Sequence, residues 1–185
     1  MKKINITILI SMSIVAQSAW STCASPEPNI QPSRPDTRYT DNYDGTVTDD
    51  ATGLTWSKCS IGQTWIDNSP DDGSDDACNG TASGYNWGDA LNVARIAGEG
   101  GYLGLQGWRL PNVKELGSLM ENACKSPAIN QSIFPSMANA NYWSSSPYLP
   151  GTGHDAWYVG FQSRGEIYRE LKSQLYHVRL VREGN

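Results

Sequence analysis

The sequence lacks several features on which common enzyme classes depend. It has only two histidines, His154 and His177, and it has no Cys-x-x-Cys pair, phosphate-binding loop or dinucleotide fingerprint. Ser144, Ser145 and Ser146 follow an aromatic segment, but they do not lie in the Gly-x-Ser-x-Gly turn of a nucleophile elbow. Carboxylates are many, and nothing singles out a glycosidase pair. We therefore predict a protein that is not an enzyme, with an unrecognised hydrolase as the alternative.

Long apolar runs are also scarce. Residues 6–15 form one such run directly after Lys2 and Lys3, the order found in export signals. We expect residues 1–21 to be a signal peptide, cleaved after Ser18 or Ser21, and the mature protein to reach the periplasm, cell surface or extracellular space. Since a membrane span needs about 20 apolar residues, we expect none in the mature chain.

Four cysteines in an exported chain indicate two disulfides, for which three pairings exist. Cys59 and Cys78 flank a polar loop, Cys23 lies in a Pro-rich arm (residues 22–37), and Cys124 ends a predicted helix. We therefore predict the pairs Cys59–Cys78 and Cys23–Cys124, the second of which attaches the arm to a single domain, residues 38–185. Acylation of Cys23 is the alternative, for which the preceding residues are a poor signal.

Basic residues are few and unevenly placed. The chain carries 14 Lys and Arg against 19 Asp and Glu, a formal net charge of −5. Because nucleic-acid binding requires clustered basic residues, the composition argues against that partner. In residues 161–185, however, five basic residues stand against three acidic ones. A basic strand face suits an anionic glycan, and a solvated face with cross-strand ion pairs is the alternative.

One acidic loop invites a calcium hypothesis. Its oxygen ligands would be the carboxylates of Asp67, Asp71, Asp72, Asp75 and Asp76. A second acidic segment lies earlier in the chain, at the turn Asp44-Gly45. The residues around this turn do not have the ligand spacing of an EF-hand, so that motif is excluded. For the loop, a hydrated segment extended by its own charge repulsion is the alternative. No other cofactor is predicted.

Local patterns predict an α+β fold. An apolar face at helical spacing predicts a helix over residues 85–98, with Asn86 as its N-cap. Asn112 and Glu115 resemble a capping box that starts a second helix, and we expect Arg109 to form an ion pair with Glu115. Residues 39–58 resemble a β-hairpin. Further strands are predicted over residues 141–145, 155–162, 167–171 and 175–183, giving an antiparallel sheet with helices on one side.

Four segments carry a family resemblance: 107–116 (GWRLPNVKEL), 141–146 (NYWSSS), 156–161 (AWYVGF) and 178–182 (VRLVR). They resemble the Lcl-C family, the C-terminal domain of the Legionella collagen-like adhesin. The resemblance implies a C-type-lectin-like fold, in which two helices pack on a twisted antiparallel sheet. It also implies a surface role, because the adhesin binds sulfated polysaccharides as a trimer. This chain lacks the Gly-x-y stalk of that adhesin, so its ligand and oligomeric state stay open.

Tryptophan and tyrosine are abundant, with 7 Trp and 9 Tyr against 2 Phe. Their rings bury apolar area while keeping a polar tip, which suits stacking on sugars, although a core position is the alternative for most of them. Arginine and lysine would contact anionic groups. The candidate ligand residues are Trp143, Tyr148, Trp157, Tyr158, Arg164, Arg169 and Lys172.

These observations together predict a secreted or surface-exposed bacterial binding module. We expect its partner to be a glycan, sulfated or acidic glycans included, and its role to be adhesion. A structural minor subunit of a pilus or other surface assembly, with protein partners, is the alternative. An oligomer is compatible with either function.

Overall fold

A computed structural model describes residues 23–68, 76–150 and 153–184. The predicted signal peptide, residues 1–21, lies outside these ranges. The described residues form a mixed α+β structure with two α-helices and nine strands in three antiparallel sheets. No helix among them is long and apolar enough to cross a membrane.

The first sheet joins both ends of the domain. Its strands are β1 (Tyr39–Asp41), β2 (Thr46–Asp49), β3 (Leu54–Ser57) and β9 (Val181–Glu183), in the order β1-β2-β3-β9. Gly45, at φ 83°, makes the turn before β2, where a glycine tolerates the left-handed conformation. The predicted hairpin over residues 39–58 is therefore confirmed. A short ribbon, β4 (Thr64–Ile66) with β5 (Ala77–Asn79), lies beyond β3.

The second large sheet consists of β6 (Asn141–Pro147), β7 (Asp155–Gly160) and β8 (Glu166–Leu171), with β7 in the middle. Its two faces contact two different hydrophobic clusters. Tyr142 and Val159 belong to the cluster that includes the first sheet and the second helix, whereas Trp143 and Tyr158 belong to the cluster beside the first helix. The side-chain alternation of strands therefore places neighbouring residues in separate cores. The prediction of one antiparallel sheet with both helices on one side is wrong in this respect, because α1 and α2 pack on opposite faces of this sheet.

Both predicted helix starts are confirmed. Helix α1 (Trp87–Gly100) has Asn86 as N-cap, whose side chain accepts the N–H of Asp89. Helix α2 (Val113–Gly117) begins with a capping box, in which Asn112 accepts backbone N–H groups and the Glu115 side chain accepts the N–H of Asn112. The Arg-Leu-Pro step thus leads directly into a capped helix.

Replacing Asn112 by alanine is expected to lower the free energy of unfolding by about 1 kcal/mol, because the first N–H groups of α2 lose their acceptor. Asn112→Asp keeps a side-chain oxygen as acceptor and serves as the matched control, with little change expected. Urea unfolding measures both values. Equal stability of the alanine variant and the wild type would contradict the role given to this cap.

The predicted strand over residues 175–183 is mostly wrong. Strand β9 covers Val181–Glu183 alone, and the residues before it form isolated bridges. The reason is that their backbone bonds go to different segments: Tyr176 pairs with Tyr85, and the carbonyl of Val178 accepts the N–H of Ile61. The segment therefore passes between the elements without joining one ladder.

Both predicted disulfides are confirmed, Cys23–Cys124 and Cys59–Cys78. The first holds the Pro-rich arm, where Pro26 also forms an isolated β-bridge with Cys124. A second attachment is Glu121, a buried carboxylate that accepts hydrogen bonds from Ser33 and Arg34 of the arm. The arm is therefore held on the domain by the Cys23–Cys124 disulfide and by hydrogen bonds to the Glu121 carboxylate.

Candidate functional site

Three candidate ligand residues meet at one end of the three-stranded sheet. Trp157 of β7 lies directly opposite Arg169 of β8. The Tyr148 ring lies 5.5 Å from the Trp157 ring at a steep angle, and the Arg169 guanidinium carbon lies 4.4 Å from the Tyr148 ring centre. Asp155 pairs with Arg169. We call these four residues, Tyr148, Asp155, Trp157 and Arg169, the aromatic–arginine patch.

The strand register explains why these residues meet. Asp155 and Trp157 project from the same face of β7, as alternate residues do. Strand β6 is irregular between Trp143 and Pro147, and the N–H of Tyr148 then donates to the carbonyl of Asp155 at 3.1 Å. This bond brings Tyr148 back over Trp157, although it follows the end of β6.

The patch is partly exposed and carries stacked cation and aromatic groups. The Arg169 side chain is 41% exposed and its partner Asp155 20%. A guanidinium over an aromatic face is attracted by the ring quadrupole, with about 0.5–1 kcal/mol at an exposed site. Stacking and ion pairing thus hold Arg169 in one orientation, with part of its surface open to solvent.

Lys172 lies near the patch along the chain but contacts a different ring. Its Nζ lies 4.5 Å from the ring centre of Trp87 and donates to the carbonyl of Gly153 at 2.7 Å. The backbone N–H of Lys172 donates to the backbone carbonyl of His154, which immediately precedes Asp155. Lys172 therefore adds a positive charge at the same end of the sheet.

Arg164 is not brought into this group. It lies before β8, at the opposite end of that strand from Arg169. Its guanidinium is 3.2 Å from the carboxylate of Glu27, which also pairs with Lys125. The hydrogen bond from Lys125 lowers the pKa of Glu27 against the opposing effect of burial, and the charge of Arg164 contributes to the same lowering. Arg164 therefore forms an ion pair with the N-terminal arm, to which Glu27 belongs.

Trp143 and Tyr158 lie in the core, so their predicted stacking on sugars requires correction. Both are buried, and the Trp143 indole N–H donates to the carbonyl of Tyr85 at 2.9 Å. The Tyr158 hydroxyl donates to Glu166 at 3.1 Å, and burial, with this bond, raises the pKa of Tyr158. Their rings pack against Tyr176. The core alternative given for Trp143 therefore describes its environment, whereas Trp157 is partly exposed.

The calcium hypothesis falls mostly on residues that are not described: Asp71, Asp72 and Asp75 lie outside the described ranges. Asp76 forms an ion pair with the buried Lys58, which also pairs with Asp41. In residues 23–68, 76–150 and 153–184, no group of three or more acidic, His or Cys side chains has an arrangement suited to a metal. The carboxylate of Asp76 is therefore engaged with an ammonium group.

A groove that sequence reasoning missed lies between α1 and the Arg-Leu-Pro step. Its volume is about 690 Å³. Its apolar surface includes Leu91 and Leu110, and its polar rim includes two ion pairs, Arg95 with Glu99 and Arg109 with Glu115. The full lining is Leu91, Ala94, Arg95, Gly98, Glu99, Gly107, Trp108, Arg109, Leu110, Asn112, Glu115 and Ser145.

Two sequence signals bear on this groove. The expected Arg109–Glu115 pair is confirmed, with two hydrogen bonds of 2.8 and 2.9 Å. Burial opposes ionisation of Glu115, but the hydrogen bonds from Arg109 and from the N–H of Asn112, together with the charge of Arg109, outweigh it and lower the pKa of Glu115. Gly98 of α1 has no room for a Cβ against the carbonyl of Trp108, which shows how closely the helix approaches this segment. Neither signal alone indicates a cavity.

Most of the domain matches one known protein family. The family model for the Lcl C-terminal domain matches residues 45–182. A search of curated proteins gives no significant match. The matched residues include the first sheet from Gly45, both helices, the aromatic–arginine patch and the groove. The resemblance expected from the four sequence segments is confirmed, and the chain belongs to the Lcl C-terminal domain family.

Proposed function

We propose that this protein is an exported, surface-acting binding module that binds acidic glycans through the aromatic–arginine patch. Its adhesin-related family is compatible with a surface binding module. Two disulfides fit an oxidising compartment outside the cytoplasm. The family favours binding over catalysis, and the four patch residues form no acid–base or nucleophilic arrangement.

The stacked, partly exposed Arg169 is the single observation that carries this proposal. A guanidinium offers planar paired donors to a carboxylate or sulfate group, and its charge is permanent. Tyr148 and Trp157 stand beside it. Aromatic rings bind the apolar face of a sugar, because they bury area without losing much side-chain entropy. One acidic sugar would thus meet both a ring and a cation.

Electrostatics support an anionic rather than a neutral partner at this end of the sheet. Arg169 and Lys172 stand against Asp155, which leaves one positive charge among these three residues. The chain as a whole is acidic, with a formal net charge of −5. A local positive site on an acidic protein selects partners by charge, with a dependence on salt.

Arg169→Ala is expected to weaken binding of an acidic oligosaccharide by about ten- to a hundredfold, since a charge-assisted hydrogen bond contributes about 1.5–3 kcal/mol. Tyr148→Ala is expected to weaken it by about tenfold through loss of stacking. Titration calorimetry with heparin and hyaluronan fragments, with calcium and then with chelator, measures both effects and also tests the calcium hypothesis.

Arg164→Ala is the matched control, since Arg164 stands at the other end of the same hairpin and pairs with Glu27. Its binding is expected to stay within about twofold of the wild type. Circular dichroism must show all three variants folded. Equal losses in Arg164→Ala and Arg169→Ala would contradict a localised patch, as would unchanged binding in Arg169→Ala.

A specific surface supports the second candidate, a structural subunit of a surface assembly. Strand β8 is an edge strand of its sheet. Apolar side chains are exposed there: Tyr168 of β8 is 59% exposed, and Leu175, which follows β8 in the chain, is 68% exposed. Such an edge can accept a strand from another protein. Co-purification with an assembly that is lost in Tyr168→Lys, with no glycan binding in the wild type, would favour this function over the first.

The finer description of the fold belongs to the same proposal. We propose that the domain is C-type-lectin-like and that residues 1–21 are removed on export. The first point is supported by β1 and β9, from the two ends of the domain, which lie in one sheet as its outer strands. The basic and apolar order of residues 2–15 supports the second. N-terminal sequencing of the exported protein tests the cleavage.

A further inference from the structure

The groove beside α1 and the aromatic–arginine patch lie on one continuous path along β6. Ser145 lines the groove, and its N–H donates to the carbonyl of Pro111 at 2.7 Å. The hydroxyl of Ser146 accepts the N–H of Val113 at 3.1 Å, so β6 runs past the start of α2. Tyr148 follows three residues after Ser145, so the two Cα atoms lie at most about 10 Å apart, the span of a fully extended chain. A ligand longer than one sugar can therefore reach both places.

The chemistry of the groove differs from that of the patch. Its rim carries Arg95 with Glu99 and Arg109 with Glu115, so each cation faces an anion. Glu183, which also contacts Arg109, adds a further negative charge. These five side chains carry one net negative charge, whereas Arg169, Lys172 and Asp155 of the other site carry one net positive charge. The groove is therefore less suited than the patch to a sulfate or carboxylate.

A neutral sugar fits these surroundings better. Its hydroxyls donate and accept, and the planar carboxylate and guanidinium groups of the rim offer paired acceptors and donors to neighbouring hydroxyls. Leu91, which is partly exposed, supplies apolar surface for the carbon face of a ring. The volume of about 690 Å³ lies in the range of small-molecule sites.

We propose that the groove binds neutral sugar residues of the same glycan whose acidic residue contacts the aromatic–arginine patch. This inference rests on the proposed function and extends it. The ligand is an oligosaccharide with both acidic and neutral residues, which binds to the patch and to the groove at the same time. Affinity then increases with chain length until the groove is filled.

Hyaluronan fragments test this inference, because acidic and neutral sugars alternate along them. The wild type is expected to bind an octasaccharide about tenfold more tightly than a disaccharide, as two or three net hydrogen bonds would give. In the double variant Arg95→Ala/Glu99→Ala, the octasaccharide is expected to bind as weakly as the disaccharide, whose affinity does not change. The pair is exposed, at 57% and 67%, and alanine favours helix, so the fold tolerates the change.

Ile96→Ala is the matched control, since Ile96 lies on α1, is exposed and is not among the groove residues. Its preference for the octasaccharide is expected to equal that of the wild type. Loss of this preference in Ile96→Ala as well would overturn the assignment to the groove. So would an Arg95→Ala/Glu99→Ala variant that keeps the preference, or a wild type that binds both fragments equally.

Failure of this inference and failure of the proposed function give different results. Wild-type protein that binds heparin fragments in an Arg169-dependent manner, but binds no hyaluronan fragment, would overturn the groove assignment and leave the patch intact. Folded protein that binds no acidic glycan would overturn both. Length-dependent binding abolished by Arg95→Ala/Glu99→Ala and weakened at every length by Arg169→Ala is the result that supports both.

Discussion

Arg179→Ala is expected to lower the free energy of unfolding by about 3–5 kcal/mol, the largest effect that we assign to one residue. The Arg179 side chain is 0% exposed. Its Nη1 donates to the carbonyls of Ser57 at 2.5 Å and Lys58 at 2.6 Å, and the guanidinium lies 4.8 Å from the Phe134 ring. It therefore closes the end of β3, where the backbone leaves the sheet.

The size of this effect follows from two separate losses. Alanine leaves two buried carbonyls without their donor, and each unsatisfied group costs about 1–3 kcal/mol. It also leaves a cavity beside Phe134 and Tyr142, which the close-packed core fills only in part. Burial lowers the pKa of Arg179, against smaller opposing effects of Tyr142 and Tyr102. The guanidinium is thus held by carbonyl dipoles in a dry environment.

Urea unfolding of Arg179→Ala, with Arg95→Ala as the matched control, measures the effect. Arg95 pairs on the surface with Glu99, so its loss is expected to cost less than about 0.5 kcal/mol. Similar stabilities for the two variants would contradict the structural role assigned to Arg179.

Glu121→Ala is expected to lower the free energy of unfolding by about 2–4 kcal/mol and to release the N-terminal arm. The carboxylate is buried and accepts the N–H groups of Ser33 at 2.8 Å and Ala123 at 2.8 Å, together with the N–H of Arg34 and the hydroxyl of Ser33. Without it, several donors lose their acceptor, among them the buried N–H of Ala123. Because Cys23–Cys124 remains, the arm stays attached but is no longer held along its length.

The same carboxylate makes stability depend on pH. Burial tends to raise the pKa of Glu121, but the backbone N–H groups of Ala123, Ser33 and Arg34 outweigh it, so the pKa lies below its usual value. The ionised form is therefore bound more strongly in the folded state. Its contribution is complete at neutral pH and is lost as the pH falls from about 4.5 through the lowered pKa.

Unfolding measured at neutral pH and in acid tests this prediction. The wild type is expected to lose stability on acidification, and Glu121→Ala to lose less, because part of the effect is already gone. Asp49 and Glu115, whose pKa values are lowered against burial by Arg38 and Arg109 respectively, keep a residual acid dependence in both proteins. Limited proteolysis reports on the arm. Equal acid sensitivity of the two proteins, with the arm equally protected from protease, would contradict the role assigned to Glu121.

Sequence reasoning succeeded where the controlling interactions are local. The caps of Asn86 and Asn112 act within three residues, so their spacing alone predicts both helix starts. The same holds for Arg109 with Glu115 and for the first hairpin. The disulfide pairs were predictable from the composition of the segments around them.

It failed where distant segments meet. The partners of Glu121 in the arm lie 87 and 88 residues away, and those of Arg179 lie more than 100 residues away, so no local pattern reveals them. Trp143 and Trp157 look equivalent in sequence, yet one faces the core beside α1 and the other the patch. The sheet of β6, β7 and β8 is covered on both faces along most of its length. The environments of the two tryptophans therefore differ only through tertiary packing, which the local sequence does not show.

Screening the folded, oxidised protein on a glycan array, beside Arg169→Ala, tests the central claim most directly. We expect binding to acidic glycans that is weakened by salt and is lost or strongly reduced in Arg169→Ala. Folded wild-type protein that binds no acidic glycan, with or without calcium, would contradict it.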